Sequence, residues 1–290
     1  MTDIIWQLIV WGILVGGLYG LLAMGLSLQY GVCRVLNITH GEFVMLGAVL
    51  TFTLSGLGIN PLLAPAIIGP LLFALGFLLQ KTLFRSLKAR APAQPVFEGN
   101  ALLAAFGLMY IIQSLSRMRW GNRLLPSQYL TESVPFLGMN IALNQIVGFA
   151  IAVALGIAVY LFLTRSRLGR AIRATAEDQA TAGLMGVNTD MILALCFGLG
   201  ALLAGVAGTL ISMRTQIDTN LGFNNTVIAL IVVTLGGLGS VPGSFVAGII
   251  IGIVSMLVVG FWEPVLTVPV YYAMLMVLLL ARPAGLFGKK

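Results

Sequence analysis

From Ile4 to Leu28 the chain carries no charged side chain, and an apolar run of that length decides the class of fold. About 20 apolar residues wound into a helix cross the ~30 Å hydrocarbon core of a bilayer. Comparable runs follow at 43–58, 62–80, 100–116, 141–163, 191–212, 225–238, 244–261 and 266–281. Only 9 % of the residues are charged, against about 25 % in a soluble domain. Such a chain cannot solvate its surface in water, whereas lipid tails can solvate it. The expected fold is all-α: a polytopic transmembrane helical bundle of about nine hydrophobic segments, with eight to ten spans, filling residues 1–290 as a single transmembrane domain. The second and seventh segments are short, which predicts re-entrant or half-length helices. These are tolerated only where protein or a water-filled path surrounds them.

The first run is read as a retained span and not as a secretory signal, because Asp3 precedes it with no Lys or Arg and a signal needs a positive leader. The nine segments alternate sides. One side then collects Arg34, Lys81, Arg85, Lys88, Arg90, Arg165, Arg167, Arg170, Arg173, Arg282, Lys289 and Lys290. The other holds Arg117, Arg119, Arg123 and Arg214. The positive-inside rule puts the richer side in the cytoplasm, so the N-terminus is expected outside and the C-terminus in the cytoplasm. The Arg117–Arg123 cluster runs against the rule. The net charge of +7 is therefore a topology signal and does not imply nucleic acid. Small residues recur every fourth position at Gly12, Gly16 and Gly20, at Gly200, Ala204 and Gly208, and at Gly248 and Gly252. This spacing lets helix backbones approach closely.

The sequence offers no chemical engine. It has no GxxxxGK[ST] phosphate loop, no HExxH, no GxSxG and no paired carboxylates, so no catalytic residues are assigned. Cys33 and Cys196 lack ligand spacing and the chain has one His, so no metal site is expected and both cysteines read as small fillers. Ion-coupled carriers bury ionisable groups at mid-membrane, and few are present here.

Three polar clusters stand out. Asn37-Ile38-Thr39-His40-Gly41-Glu42 opens the second segment. Asn37 or Thr39 can cap the helix, and Glu42 suits the positive end of its dipole; alternatively Asn37, His40, Gly41 and Glu42 face a transport path. The loop 164–190 reads as one short alanine-rich helix from about Gly169 to Gly183, with Arg173 and Glu177 one turn apart, Gly186 as a stop, and Asn188 or Asp190 capping the next span. It is either a solvated connector or a docking helix carrying Arg170, Arg173, Ala174, Glu177, Asp178 and Gly186. Gly236, Gly237, Gly239 and Ser240, with Pro242 and Gly243, make a tight turn that is either pore-lining or a plain connection. Asn224, Asn225 and Thr226 are expected to cap the segment before it.

In order and spacing these clusters resemble one family. Gly17-Leu18-Tyr19-Gly20-Leu21 to Leu26, then Asn37 to Glu42 and Met45-Leu46-Gly47, is similar to the start of branched-chain amino acid ABC transporter permeases. Gly169 to Ala174, with Ala176-Glu177-Asp178 and Gly186-Val187, resembles that family's cytoplasmic loop. Gly236 to Ser240 with Pro242-Gly243 resembles its late glycine motif. The resemblance runs from residue 11 to about 285, nearest the LivH-like of the two paralogous permeases. It departs at Ile38-Thr39, where the family has Phe-Ala. It implies a permease of a bacterial inner membrane importing leucine, isoleucine and valine through a pore shared with a paralogous permease subunit. It also implies two cytoplasmic ATPase subunits, one contacting the Arg170–Gly186 loop, and a periplasmic substrate-binding protein. The chain itself would bind no cofactor, since ATP would be hydrolysed by the partners. Relatives carry urea, short amides or other amino acids, so these stand as alternative cargoes, and a stand-alone secondary carrier stands as the alternative mechanism.

Overall fold

The computed structural model describes residues 2–121, 124–127, 129–136 and 139–288. The basic residues Arg123, Lys289 and Lys290 lie outside the described residues. Helix α1 (Thr2–Cys33) is followed by α2 (His40–Gly56), and α3 (Ala64–Leu79) continues through a π-turn (Gln80–Phe84) into α4 (Arg85–Arg90). Next come α5 (Gln94–Trp120), a hairpin of β1 (Ser133–Phe136) and β2 (Met139–Ala142), and α6 (Leu143–Arg165). Two short helices, α7 (Arg167–Glu177) and α8 (Gln179–Leu184), precede α9 (Thr189–Ser212), α10 (Leu221–Gly236), α11 (Val241–Phe261) and α12 (Thr267–Ala281).

Seven helices among the described residues are long and apolar enough to cross a membrane. The other two apolar segments are the short ones anticipated from the sequence: α2 has 17 residues and α10 has 16. The chain is thus an all-α polytopic membrane bundle. Helices α1 and α9 form its centre, with 78 % of their most apolar stretches buried, whereas α12 is only 6 % buried and belongs to the outer layer.

The two ends differ in charge. Arg34 Nη2 donates to the Ala176 carbonyl, Lys88 Nζ reaches Gln179 Oε1, and Arg85 pairs with Asp190 at 3.0 Å. The ends of α1 and α4, the short helices α7–α8 and the start of α9 therefore share one basic end. At the opposite end Leu125 bridges Ile217, Asn144 Nδ2 donates to the Met213 carbonyl, and Met139 and Ile141 of the hairpin pack on Val10 and Leu14. The N-terminal end of α1 and the C-terminal end of α12 lie at opposite ends.

The small-residue ridges are packing devices. A Cβ placed on Gly248 would sit 2.3 Å from the Gly20 backbone N, and one on Gly252 2.4 Å from the Gly12 carbonyl O and the Gly16 Cα. Helices α1 and α11 thus meet glycine to glycine. The third ridge serves two neighbours, with Gly200 against Gln29 of α1 and Gly208 against the Val44 carbonyl of α2. Lipid supplies no hydrophobic drive for helix association, so such contact must come from close packing. Gly248→Val should lower stability by on the order of 3 kcal/mol through overpacking, read as a lower thermal midpoint in detergent. Gly107→Ala, whose Cβ site meets nothing within 4 Å, should leave the midpoint in place. Equal midpoints for the two variants would contradict this packing.

Candidate functional site

After Cys33 the chain turns back alongside α1. Asn37 Nδ2 donates to Gln29 Oε1 at 3.1 Å, and His40 Nε2 lies 3.0 Å from the Leu22 carbonyl. A carbonyl only accepts, so Nε2 carries the imidazole proton. Leu22 lies eleven residues from the end of α1, about 16 Å at 1.5 Å per residue. Helix α2 therefore begins inside the bundle, well away from either end. Helix α10 begins there too. Gly41 N donates to Thr226 Oγ1 at 3.0 Å, and that hydroxyl lies 3.0 Å from the Ile38 carbonyl and 3.1 Å from the Gly222 carbonyl. Two half-length helices thus meet N-terminus to N-terminus and run away from each other, α2 to the arginine-poor end and α10 to the basic end.

The junction excludes side chains larger than hydrogen where the two helices touch. A Cβ on Gly41 would lie 2.0 Å from the Gly222 carbonyl, and one on Gly222 would lie 2.4 Å from Glu42 Oε2. Asn37, Thr39, His40 and Glu42 are fully buried. Gln113 Nε2 of α5 donates to Glu42 Oε1 at 2.9 Å, and Thr39 Oγ1 donates to the Ala105 carbonyl at 2.8 Å. Glu42 Oε2 and His40 Nδ1 have no hydrogen-bond partner among the described residues. The carboxylate lies in the first turn of α2 and against the first turn of α10, where two positive dipole ends converge.

The helix caps differ from those expected from the sequence. Asn37 Oδ1 accepts from Thr39 N, while Thr39 is the residue before α2 and makes no side-chain cap. Its hydroxyl is already used on α5. Asn224, Asn225 and Thr226 do not cap α10, which starts at Leu221 after Asn220. The segment is longer than its apolar run, and Thr226 faces α2 from the second turn. Sequence reasoning also passed over Gln29, Gln113 and Gly222. The available signal was an isolated amide inside an otherwise apolar span, which needs a partner inside the bundle.

At the basic end the loop forms two helices, where one was expected. Asp178 adopts an extended conformation (φ −149°, ψ 115°) and its Oδ1 accepts from Ala180 N and Thr181 N. It ends α7 and caps α8. Gly186 has φ +83° and its N–H bonds the Gly183 carbonyl, closing the turn after α8. Asn188 Oδ1 accepts from Met191 N and caps α9, whereas Asp190 is engaged by Arg85. Arg173 Nη1 donates to the Leu163 carbonyl, which ties α7 to the end of α6.

The structure brings this loop and the late glycine turn together. A cleft of about 580 Å³ is lined by Arg34, Arg173, Glu177, Gly239, Ser240 and Phe287 among others. Ser240 Oγ accepts from Gly243 N to cap α11, with Pro242 in its first turn. Gly237 and Gly239 have φ of +99° and +86°, backbone that favours glycine. Gly236 and Gly237 pack on the C-terminal strand of chain, where Phe287 N donates to the Gly236 carbonyl. The candidate residues thus fall in two places. Asn37, His40, Gly41 and Glu42 lie at the buried junction. Gly236, Gly237, Gly239 and Ser240 lie at the other end of α10, near Arg173 and Glu177.

Two outcomes follow from this geometry. Glu42→Leu and Gln113→Leu each strand a buried polar partner and should cost about 1–3 kcal/mol, while the double variant should cost less than the sum in an unfolding cycle. Additive costs would show that the bond contributes nothing. At the exposed cap, hydrogen bonds from the Thr181 hydroxyl and from the Thr181 and Ala180 N–H groups hold the Asp178 carboxyl below its usual range. A depressed pKa stabilises above the unfolded value and is lost as pH falls through the folded one. Amide-exchange protection of Ala180 and Thr181 should hold at neutral pH, decline only below the ordinary carboxylate range, and be lost at all pH values in Asp178→Ala.

The family described as branched-chain amino acid transport system, permease component, matches residues 8–280. The high-affinity branched-chain amino acid transport system permease protein BraD of Pseudomonas aeruginosa is 30% identical over 98% of this chain and 95% of its own. The corresponding protein LivH of Escherichia coli K12 is 31% identical over 96% of this chain and 94% of its own. The permease protein LivM of the same organism is 31% identical over 46% of this chain and 32% of its own. No solved structure matches.

Proposed function

The chain belongs to the branched-chain amino acid transport permease family, and from that premise we propose that it is one membrane subunit of an ATP-driven importer of leucine, isoleucine and valine. The match over nearly the full length to permeases of that cargo carries this reading. Relatives of two kinds, LivH and LivM, match the chain, which supports a pore built with a paralogous permease. The chain has no phosphate loop, so its engine must be borrowed, and two cytoplasmic ATPase subunits supply it in this reading. A periplasmic binding protein delivers the amino acid at the arginine-poor end. The basic end is cytoplasmic by the positive-inside rule, which sets the N-terminus outside in the inner membrane of a bacterium.

Within that frame α7 and α8 are the coupling element. They lie across the basic end and are bound to the spans: Arg34 to Ala176, Gln179 to the Val32 carbonyl, and Arg173 to Leu163. A push on this pair is passed to the end of α1, and α1 runs back past the junction at Leu22 and Gln29. Asn37, His40, Gly41 and Glu42 are proposed to hold the wall of the translocation path at the break between α2 and α10. Gly236, Gly237, Gly239 and Ser240 are proposed to let the lower half of that wall turn against the coupling element.

Ala174 and Glu177 are exposed, Glu177 at the rim of the basic-end cleft, so Ala174→Trp and Glu177→Lys alter the exposed surface of α7 without filling the core. Each should cut substrate-stimulated ATP hydrolysis by about tenfold or more through mismatch at the docking surface, with normal membrane insertion. Normal stimulation in both variants would refute the coupling role. Uptake should stop without ATP hydrolysis and persist when ion gradients are collapsed, whereas a stand-alone carrier would show the reverse.

A further inference from the structure

A second cavity, separate from the basic-end cleft, lies between α1, α10, α11 and the chain just beyond α9. Its volume is about 320 Å³, at the small end of ligand pockets, which run from ~300 to ~1,000 Å³. One part of the wall is aliphatic, with Leu18, Ile228 and Met256; the other holds Tyr19, Arg214 and Asn225. Arg214 Nε is buried and has no hydrogen-bond partner among the described residues. Among the described residues no acidic side chain lines the cavity. Arg214 as a whole is half-buried, and a cation partly withdrawn from water without a counter-charge is disfavoured, so the space is suited to an anion. Asn225 is 6 % exposed and one Nδ2–H donates to the Leu221 carbonyl at 2.8 Å, which fixes the amide with Oδ1 as the group able to accept from an ammonium. The first turn of α10 opens on the same space, and half-helix N-termini favour anionic groups.

We propose that this cavity is a subsite for the transported amino acid within the permease itself. The Arg214 guanidinium takes the α-carboxylate, and Leu18, Ile228 and Met256 receive the branched aliphatic side chain. Tyr19 adds its hydroxyl beside the carboxylate. The assignment rests on the import reading above and adds what that reading lacks, a place in the chain where the cargo is held. Guanidinium and carboxylate form strong paired hydrogen bonds, and a small aliphatic pocket discriminates by size.

The test is labelled leucine uptake by the complete transporter in vesicles, driven by leucine-loaded binding protein. Arg214→Gln should lower turnover by about 10- to 100-fold, as expected for losing a hydrogen bond to a charged group, with unchanged half-saturation by the loaded binding protein. Arg214→Lys should fall between Arg214→Gln and the parent, and Tyr19→Phe should show a smaller loss. A parent transporter that carries another solute and no leucine sinks the import reading itself. A parent that carries leucine, with Arg214→Gln and Tyr19→Phe both at full turnover, overturns the subsite alone. So does a deficit that appears only in vesicles containing anionic lipid, which would give Arg214 to a headgroup. If Arg214→Gln fails to assemble while Tyr19→Phe and Arg214→Lys run at full rate, Arg214 is structural and the proposal falls.

Discussion

One hydroxyl holds the centre of this bundle. Thr226 Oγ1 accepts the Gly41 N–H and lies within bonding distance of the Ile38 and Gly222 carbonyls, joining the starts of two interrupted helices. Hydrocarbon offers no water to satisfy a broken backbone, so a helix can begin inside a membrane only if neighbouring protein supplies the partners. Here Thr226 Oγ1 takes the Gly41 N–H and bonds the Ile38 carbonyl, and Asn37 Oδ1 takes the Thr39 N–H, while the Gln29 and Gln113 amides and the Ala105 and Leu22 carbonyls satisfy the side chains of Asn37, Glu42, Thr39 and His40. The glycines follow from the same requirement. Gly41 and Gly222 leave no room for a side chain at the meeting point, and Gly47 and Gly208 bring α2 and α9 into backbone contact.

That junction divides a single crossing into two short arms. The upper arm, α2, is held by α9 and by α5 through Glu42 and Gln113. The lower arm, α10, ends in a glycine turn beside the C-terminal chain and the cleft that also borders α7. Arg34 and Gln179 tie α7 and α8 to the end of α1. In the proposed importer the two arms are the parts able to shift against each other, since a continuous helix would transmit such a push as one rod.

The segment pattern was legible because hydrophobic length is a one-dimensional property. All nine apolar runs became helices, and the two that looked short are the two half-helices. The glycine ridges were legible as packing, since spacing of four positions puts residues on one helix face. The partners of each polar residue were not legible. Glu42 meets Gln113, 71 positions along the chain, and Gly41 meets Thr226, 185 positions away. Nothing local distinguishes a buried amide bonded across the bundle from one turned elsewhere. The break at Asp178 was missed because Ala-rich flanks on both sides favour helix; only the side-chain cap onto Ala180 and Thr181 shows why two helices form. The small cavity is not legible in the sequence because its residues come from four stretches of chain, and Arg214 by itself reads only as a topology signal.

The measurement that bears most directly on the account is uptake of labelled leucine in a strain lacking this gene, before and after the gene is restored, with urea and short amides as competitors. Leucine uptake is expected to return with the gene and to resist both competitors. Leucine uptake that never depends on the gene, with urea or amide uptake that does, would contradict the assigned cargo.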